Sequence, residues 1–158
     1  MAFNWRTDRI GAARRGENPT VLRRLPSGWA VIGDEQFLPG YCVLLYDGDA
    51  DHLTDLPRPE RLAFLEDMAI LGEAVSLACS RLDPQFLRVN YEILGNEYAH
   101  LHAHIFARYA WEPDDRRRTP VWLYPDRKAA QYALGPQHAA LRTALTAALD
   151  EVLAQAHP

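Results

Sequence analysis

Three histidines alternate with apolar residues in the segment His100-Leu101-His102-Ala103-His104-Ile105-Phe106. Side chains at positions i, i+2 and i+4 leave the same face of a β-strand, whereas a helix would spread them around more than half of its circumference. The spacing therefore predicts a strand, from His100 to Tyr109, that carries three imidazoles in one row. The apolar residues between the histidines are then directed into a core.

Three interpretations of this row are open from the residues alone. The histidines could be surface or core residues without a chemical role. They could bind zinc, since a His-x-His pair on a strand can chelate the ion, but such a site needs further ligands, and no Cys or clustered carboxylate completes it. In the third interpretation one histidine is a nucleophile, and its neighbours orient it and stabilise the negative oxygen of the reacting group.

The order His-φ-His-φ-His-φ-φ, where φ is apolar, resembles the signature of the histidine triad (HIT) nucleotide hydrolases and transferases. Every position of that signature matches between His100 and Phe106. Pro39-Gly40-Tyr41 stands where the family has Pro-Gly-His before an apolar strand, and Val89-Asn90 matches a Val-Asn pair on the strand before the triad. The chain as a whole is similar to a bacterial branch described as diadenosine tetraphosphate hydrolase-like.

The resemblance implies a role for each histidine of the row. His102, in the middle, would attack the α-phosphorus of a nucleotide and give a phosphohistidine-nucleotide intermediate, which water then hydrolyses. His104 would donate a hydrogen bond to a non-bridging oxygen or to the leaving group, and His100 would orient the site. A neutral imidazole is available as a nucleophile at neutral pH, because imidazole titrates near ~6.5.

Two polar residues are candidates for binding the substrate. Asn90 is expected to hydrogen-bond to phosphate or ribose, although it could also be a strand residue that faces solvent. Asp34 lies near the position of the family's ribose-binding acid, although an Asp after Gly33 could equally form a turn.

The remaining candidates are departures from the family pattern or follow the triad. Tyr41 replaces a fourth histidine, and its hydroxyl is expected to bond to His100 or to ribose. Arg108 resembles the family's arginine after the triad, with Ala107 where proline is common, and is predicted to bind substrate. Glu97 stands where the family often has a hydroxyl, and a carboxylate there would repel phosphate unless it were protonated or turned away.

Local patterns predict the other elements of an α+β domain with an antiparallel sheet, one long helix and a C-terminal helix. The resemblance implies that residues 1–158 form a single HIT-like domain. Pro59 and Glu60 favour the start of a long helix, whose apolar residues from Leu62 to Val75 recur at helical spacing. The other predicted elements are a short helix at 5–16, strands at 29–32, 41–46 and 86–94, and a helix at 136–154. The long helix is predicted to end within 81–84. The segment 110–135 is predicted to be a long ordered loop, since it contains four aromatic residues, namely Trp111, Trp122, Tyr124 and Tyr132.

The strand at 86–94 is a candidate for antiparallel pairing with the histidine strand. Its two-residue period places Phe86, Arg88, Asn90 and Glu92 on one face.

Composition limits the partners of the chain. A net charge of −4 argues against bulk nucleic-acid binding, and the sequence contains no apolar run long enough to cross a membrane. Arginine pairs and triplets at 14–15, 23–24 and 116–118 are either solvated surface or a rim that faces phosphate. We expect a cytoplasmic protein, a nucleotide substrate, no metal bound by the protein itself, and Mg²⁺ accompanying the substrate at most.

The resemblance also implies a homodimer, which the wide apolar stripe of the long helix favours.

A function from a different class remains open at this point. The chain could be a nucleotide-binding or sensing module in which Tyr41 and Glu97 mark weakened catalysis.

Overall fold

A five-stranded antiparallel sheet forms the centre of the structure, a computed structural model that describes residues 4–158. The strands are β1 (Val21–Arg24), β2 (Gly28–Ile32), β3 (Cys42–Tyr46), β4 (Phe86–Glu92) and β5 (His102–Tyr109). Their order in the sheet is β1-β2-β3-β5-β4. The predicted α+β class and the predicted pairing of the last two strands are confirmed, whereas β1 was not predicted.

Four α-helices accompany the sheet in the described part of the chain. They are α1 (Arg9–Arg14), α2 (Arg58–Leu82), α3 (Asp114–Arg117) and α4 (Ala139–Ala156). Short 3₁₀ turns lie at Trp5–Thr7, Leu53–Asp55, Val121–Leu123, Ala130–Tyr132 and Pro136–His138. None of the helices within residues 4–158 is long and apolar enough to cross a membrane.

The long helix α2 covers one face of the sheet, and α4 packs against α2 and β1. Pro59 lies in the first turn of α2 and Asp83 ends the helix, as the sequence predicts. The predicted apolar stripe is wrong in its first half, because Leu62 and Ala69 are exposed while Phe64 and Ile70 are buried. The helix therefore turns a different side toward the sheet than the leucine spacing indicates.

Strand β5 lies between β3 and β4 and separates the core from the row of histidines. Ala103, Ile105 and Ala107 are fully buried, since their side chains lie on the core face of β5. His102 and His104 alternate with them and are only partly buried. The strand interpretation of the histidine spacing is thus confirmed for these two residues.

His100 is not part of the strand, which corrects the prediction that β5 begins there. The backbone leaves the ladder before His102, because Leu101 donates its N–H to Ala50 O at 2.8 Å and accepts from Tyr46 N at 3.0 Å. Both partners lie at or beyond the end of β3, so this backbone pairing continues without regular strand geometry. The row of histidines on the strand itself therefore has two members.

Strand β4 also differs from the prediction, at Phe86. Arg88, Asn90 and Glu92 pair with Arg108, Phe106 and His104, which places them beside the histidine face. The pairing is irregular between Phe86 and Arg88, and the Phe86 ring packs against Tyr109 at 6.1 Å. Phe86 was predicted to share the face of Asn90, and the irregularity of the pairing explains the difference.

Candidate active site

His102 has one ring nitrogen engaged by the backbone and one available for chemistry. Its Nδ1 lies 2.6 Å from His100 O. A carbonyl oxygen only accepts hydrogen bonds, so Nδ1 must carry the proton and Nε2 the lone pair. Within residues 4–158, Nε2 has no hydrogen-bond partner, so the lone pair of the neutral imidazole on Nε2 is available to a ligand or a reacting atom.

The side chain of His104 is hydrogen-bonded to Tyr41. The Tyr41 hydroxyl lies 2.7 Å from His104 Nδ1, and the two rings are stacked with centroids 6.0 Å apart. The phenol is buried and forms no other hydrogen bond within residues 4–158. Because a buried O–H without an acceptor is costly, we assign the hydroxyl as the donor to Nδ1. The remaining proton of the His104 ring then lies on Nε2, which makes His104 a donor toward a ligand.

Burial, together with the charges of His102 and Arg127, lowers the pKa of His104 to about 3. Burial also raises the pKa of Tyr41. Both partners of the Tyr41–His104 bond therefore stay neutral throughout the physiological pH range. The His104 ring lies 4.8 Å from the His102 ring, so one phosphate group can contact both.

The sequence predicted His100 or ribose as the partner of the Tyr41 hydroxyl, but its partner in the structure is His104. His100 itself donates through Nε2 to Tyr46 O at 2.8 Å, and its carbonyl receives the proton of His102. His100 thus contacts His102 through its backbone carbonyl, while its imidazole fixes the segment to the end of β3.

Arg108 does not reach toward a substrate, which corrects its predicted role. It is 5 % exposed, and Glu112 accepts from its Nε at 3.0 Å and from its Nη2 at 2.9 Å. The other N–H groups donate to Asn90 Oδ1 at 2.8 Å and to the carbonyls of Thr119, Arg116 and Arg117. All donors of the guanidinium are used inside the protein, so Arg108 connects β5 to β4 and to the segment that follows β5.

Glu112 is the buried anion that balances Arg108. Burial alone would raise the pKa of Glu112, but hydrogen bonds from Arg108, the Tyr124 hydroxyl and Tyr109 N hold it below its usual value. Asn90 belongs to the same network, because its side-chain oxygen accepts from Arg108. The amide nitrogen of Asn90 is the group that remains for the predicted contact with substrate.

Asp34 is already paired in the structure. Arg9 donates to its carboxylate at 2.5 Å and 3.3 Å, and Arg6 lies at 4.0 Å. Ribose hydroxyls would have to compete with Arg9 for this carboxylate. Glu97 is exposed, so its predicted influence on the leaving group stays a prediction.

A segment that the sequence did not assign to the site lies against His104. Residues 110–135, here called the strap, return to the sheet and bring the Trp122 ring within 4.7 Å of His104 and 5.5 Å of Phe106. The Trp122 indole nitrogen donates to Glu92, which fixes the ring. The aromatic content of 110–135 indicated an ordered loop, but nothing in the sequence indicated its destination.

The strap is attached at the other side of the site by backbone hydrogen bonds. Gln36 N donates to Tyr132 O at 2.7 Å, and Leu134 N donates to Asp34 O at 2.8 Å. The Gln36 side chain in turn donates to Gly33 O and Tyr41 O and accepts from Gly40 N. The loop that positions Tyr41 is therefore connected directly to the strap.

The arginine clusters mostly have acidic partners on the surface. Arg14 and Arg24 bind Asp47 at 2.7 Å and 3.0 Å, and Arg23 binds Asp150 at 2.8 Å. In the strap, Arg116 binds Asp126 at 3.1 Å, and Arg117 binds Asp114. These pairs support the solvated-surface interpretation for the arginines concerned.

Comparison with solved structures identifies this arrangement of strands and helices. A histidine triad protein from Sinorhizobium meliloti 1021 superimposes with a TM-score of 0.66 at 16% identity, covering 88% of this chain and 93% of its own. A hypothetical histidine triad nucleotide-binding protein from Sulfolobus tokodaii strain7 gives a TM-score of 0.67 at 9% identity, covering 90% and 91%. The chain has the histidine triad fold.

A third structure with this fold is the Zn-bound histidine triad family protein from Mycobacterium smegmatis, with a TM-score of 0.63 and 16% identity over 96% of this chain and 99% of its own. No protein-family model matches the sequence, and no curated protein matches it significantly. In the described part of this chain, no three His, Cys, Asp or Glu side chains are grouped so that they could hold a metal ion.

Proposed function

We propose that this histidine triad fold acts as a nucleotide hydrolase or nucleotidyl transferase on the α-phosphate of an adenine nucleotide derivative, with a dinucleoside polyphosphate as the first candidate substrate. The observation that carries the proposal is the hydrogen bond from His102 Nδ1 to His100 O at 2.6 Å. It supports the Nε2 nucleophile that the resemblance implies. His104, at 4.8 Å between ring centroids, supplies a neutral donor beside it.

The proposed reaction has two displacement steps at phosphorus. The lone pair of His102 Nε2 forms a P–N bond while the P–O bond to the leaving group breaks, and the leaving group departs as an anion. The proton on Nδ1 stays in place, so the imidazole is cationic in the intermediate and remains bound to His100 O. Water then forms a new P–O bond as the P–N bond breaks, its proton passes to solvent, and neutral His102 is restored.

A panel of adenylylated substrates, with products identified by phosphorus NMR, tests this proposal. We expect AMP among the products and an AMP adduct on His102, which mass spectrometry should detect after rapid quenching in alkaline denaturant, because the P–N bond of phosphohistidine is labile in acid. The variant His102→Ala should form no adduct. Wild-type protein that turns over no member of the panel would contradict the hydrolase and transferase assignment.

A nucleotide-binding or sensing module is the alternative, and the Tyr41 hydroxyl at 2.7 Å from His104 Nδ1 favours it, because a neutral phenol stands where the family has a histidine. The same panel separates the two functions. A sensing module binds the nucleotides, as calorimetry would record, and releases no AMP.

We also propose that two copies associate through strand β4. This strand is at the edge of the sheet, and Leu87 and Tyr91 are 44% and 46% exposed on it, with Leu94 nearby at 44%. An uncovered edge strand with exposed apolar side chains is a favourable surface for pairing. Light scattering at micromolar concentration should give the mass of a dimer, and a monomer mass would contradict the proposal.

The proposed setting is the cytoplasm, without a metal bound by the protein itself. Cys42 and Cys79 are both buried free thiols, which suits a reducing compartment. Mg²⁺ would enter with the phosphates of the substrate. Metal analysis of the purified protein should find less than one equivalent of zinc per chain, and a full equivalent of zinc would contradict this part of the proposal.

A further inference from the structure

Arg127 is a cation without an acidic partner beside the histidines. Its guanidinium carbon lies 4.9 Å from the centroid of the Trp122 ring, and within residues 4–158 it forms no ion pair or hydrogen bond. Arg116, in the same strap, also lies over an aromatic ring, that of Tyr124 at 5.2 Å, but it is paired with Asp126. Arg127 therefore differs from Arg116 in having its donors available to a ligand.

The ring that carries Arg127 is fixed at one end of the site. Trp122 contacts His104 and Phe106 and is held by Glu92. In the described residues it has no ring contact with His102. The cation thus lies beyond His104 along β5, away from His102. Its charge adds to the lowering of the His104 pKa by burial and opposes the rise of the Tyr41 pKa that burial causes.

We propose that Arg127, stacked on Trp122, binds a phosphate of the substrate that follows the one attacked by His102. A chain of phosphates that starts at His102 Nε2 and passes His104 reaches Trp122 and Arg127. Arginine binds phosphate oxygens through two parallel N–H groups, and stacking on an indole leaves those edges open. The inference rests on the proposed function and specifies its substrate class: phosphoanhydrides with a charged leaving group, rather than phosphoramidates or esters with a neutral one.

Kinetics with two substrates that share the AMP group test the inference. Diadenosine tetraphosphate carries further phosphates, whereas adenosine 5′-phosphoramidate has a neutral leaving group. We expect Arg127→Ala to lower kcat/KM for the tetraphosphate by about tenfold to a hundredfold, as for one charge-assisted hydrogen bond. It should change kcat/KM for the phosphoramidate less than threefold, and Arg127→Lys should restore part of the loss.

Arg116→Ala is the matched control, since it removes a strap arginine of similar placement that already has a partner. It should leave the ratio of the two kcat/KM values unchanged. If Arg127→Ala lowers both kcat/KM values equally, or neither, the inference is overturned.

A binding measurement separates this result from the fate of the proposed function. In the His102→Ala background, calorimetry compares AMP with ADP, which adds one phosphate. We expect ADP to bind more tightly than AMP, and the additional Arg127→Ala substitution to remove that difference. If ADP has no advantage over AMP while Arg127 is present, the phosphate site is overturned, whether or not the wild-type protein shows turnover.

Discussion

The hydrogen bond between Tyr41 and His104 makes a specific prediction for the variant Tyr41→Phe. The substitution removes the hydroxyl that lies 2.7 Å from His104 Nδ1 and leaves the ring, which stacks on Phe106 with centroids 4.1 Å apart. Packing is therefore preserved, and the change is confined to the polar contact. What is lost is the donor that keeps the proton of His104 on Nε2.

Two effects of different size follow from this loss. The Nδ1 atom of the half-buried His104 has no other donor within residues 4–158, so the free energy of unfolding should fall by about 1–3 kcal/mol. One neutral hydrogen bond of about 1 kcal/mol corresponds to roughly fivefold in rate, so kcat/KM should fall by about that factor. The pH–rate profile should keep its shape, since neither Tyr41 nor His104 titrates near neutral pH.

Tyr109→Phe is the matched control. Its hydroxyl is also buried and donates to Pro39 O at 2.5 Å, but its ring lies on the core face, away from the histidines. Urea denaturation and steady-state kinetics should show a stability loss in both variants and a loss of kcat/KM in Tyr41→Phe alone. If Tyr41→Phe is as inactive as His102→Ala, Tyr41 is itself catalytic; if its activity matches Tyr109→Phe, the hydroxyl does not set the tautomer of His104.

Four further predictions test other parts of the site. Tyr41→His should retain activity and add an ionisation to the pH–rate profile, and a profile with no new ionisation would count against this account of the residue. His102→Ala should abolish turnover while calorimetry still records nucleotide binding; activity near that of the wild type would refute the nucleophile assignment. Because the pKa of His104 is lowered to about 3 while an unfolded histidine titrates near ~6.5, its contribution to stability is complete above ~6.5 and is lost as pH falls toward 3. Urea denaturation between pH 7 and 5 should show this loss in the wild type and a shallower slope in His104→Gln, and equal slopes would contradict it. Glu112→Gln should lower the free energy of unfolding by about 3 kcal/mol because it leaves Arg108 buried without a counterion, whereas Glu151→Gln, at an exposed pair with Arg81, should lower it much less.

The sequence alone was sufficient for features that depend on local periodicity. Alternation at His102 and His104 predicted a strand with one apolar face, and the two-residue period of β4 placed Asn90 beside that face. Pro59 and the helical spacing after it predicted α2 closely at both ends. These predictions succeeded because neighbours along the chain determine which side of an element a side chain occupies.

Partners distant along the chain were decided only by the tertiary structure. His100 leaves the strand because Leu101 finds its hydrogen-bond partner at Ala50, and Arg108 is buried because Glu112 and the strap close over it. The alternation that correctly placed Arg108 on the histidine face contains no information about what covers that face.

The strap is the clearest example of contacts that only the tertiary structure determines. Its aromatic residues indicated order, but Trp122 reaches His104 only because the chain folds back across the sheet and Glu92 holds the indole. Likewise, Tyr41 binds His104 rather than His100 because β3 and β5 are adjacent, with Val43 opposite His104. Periodicity specifies the face of an element, whereas the partner on that face depends on how distant segments pack, and a single sequence does not encode that in its local pattern.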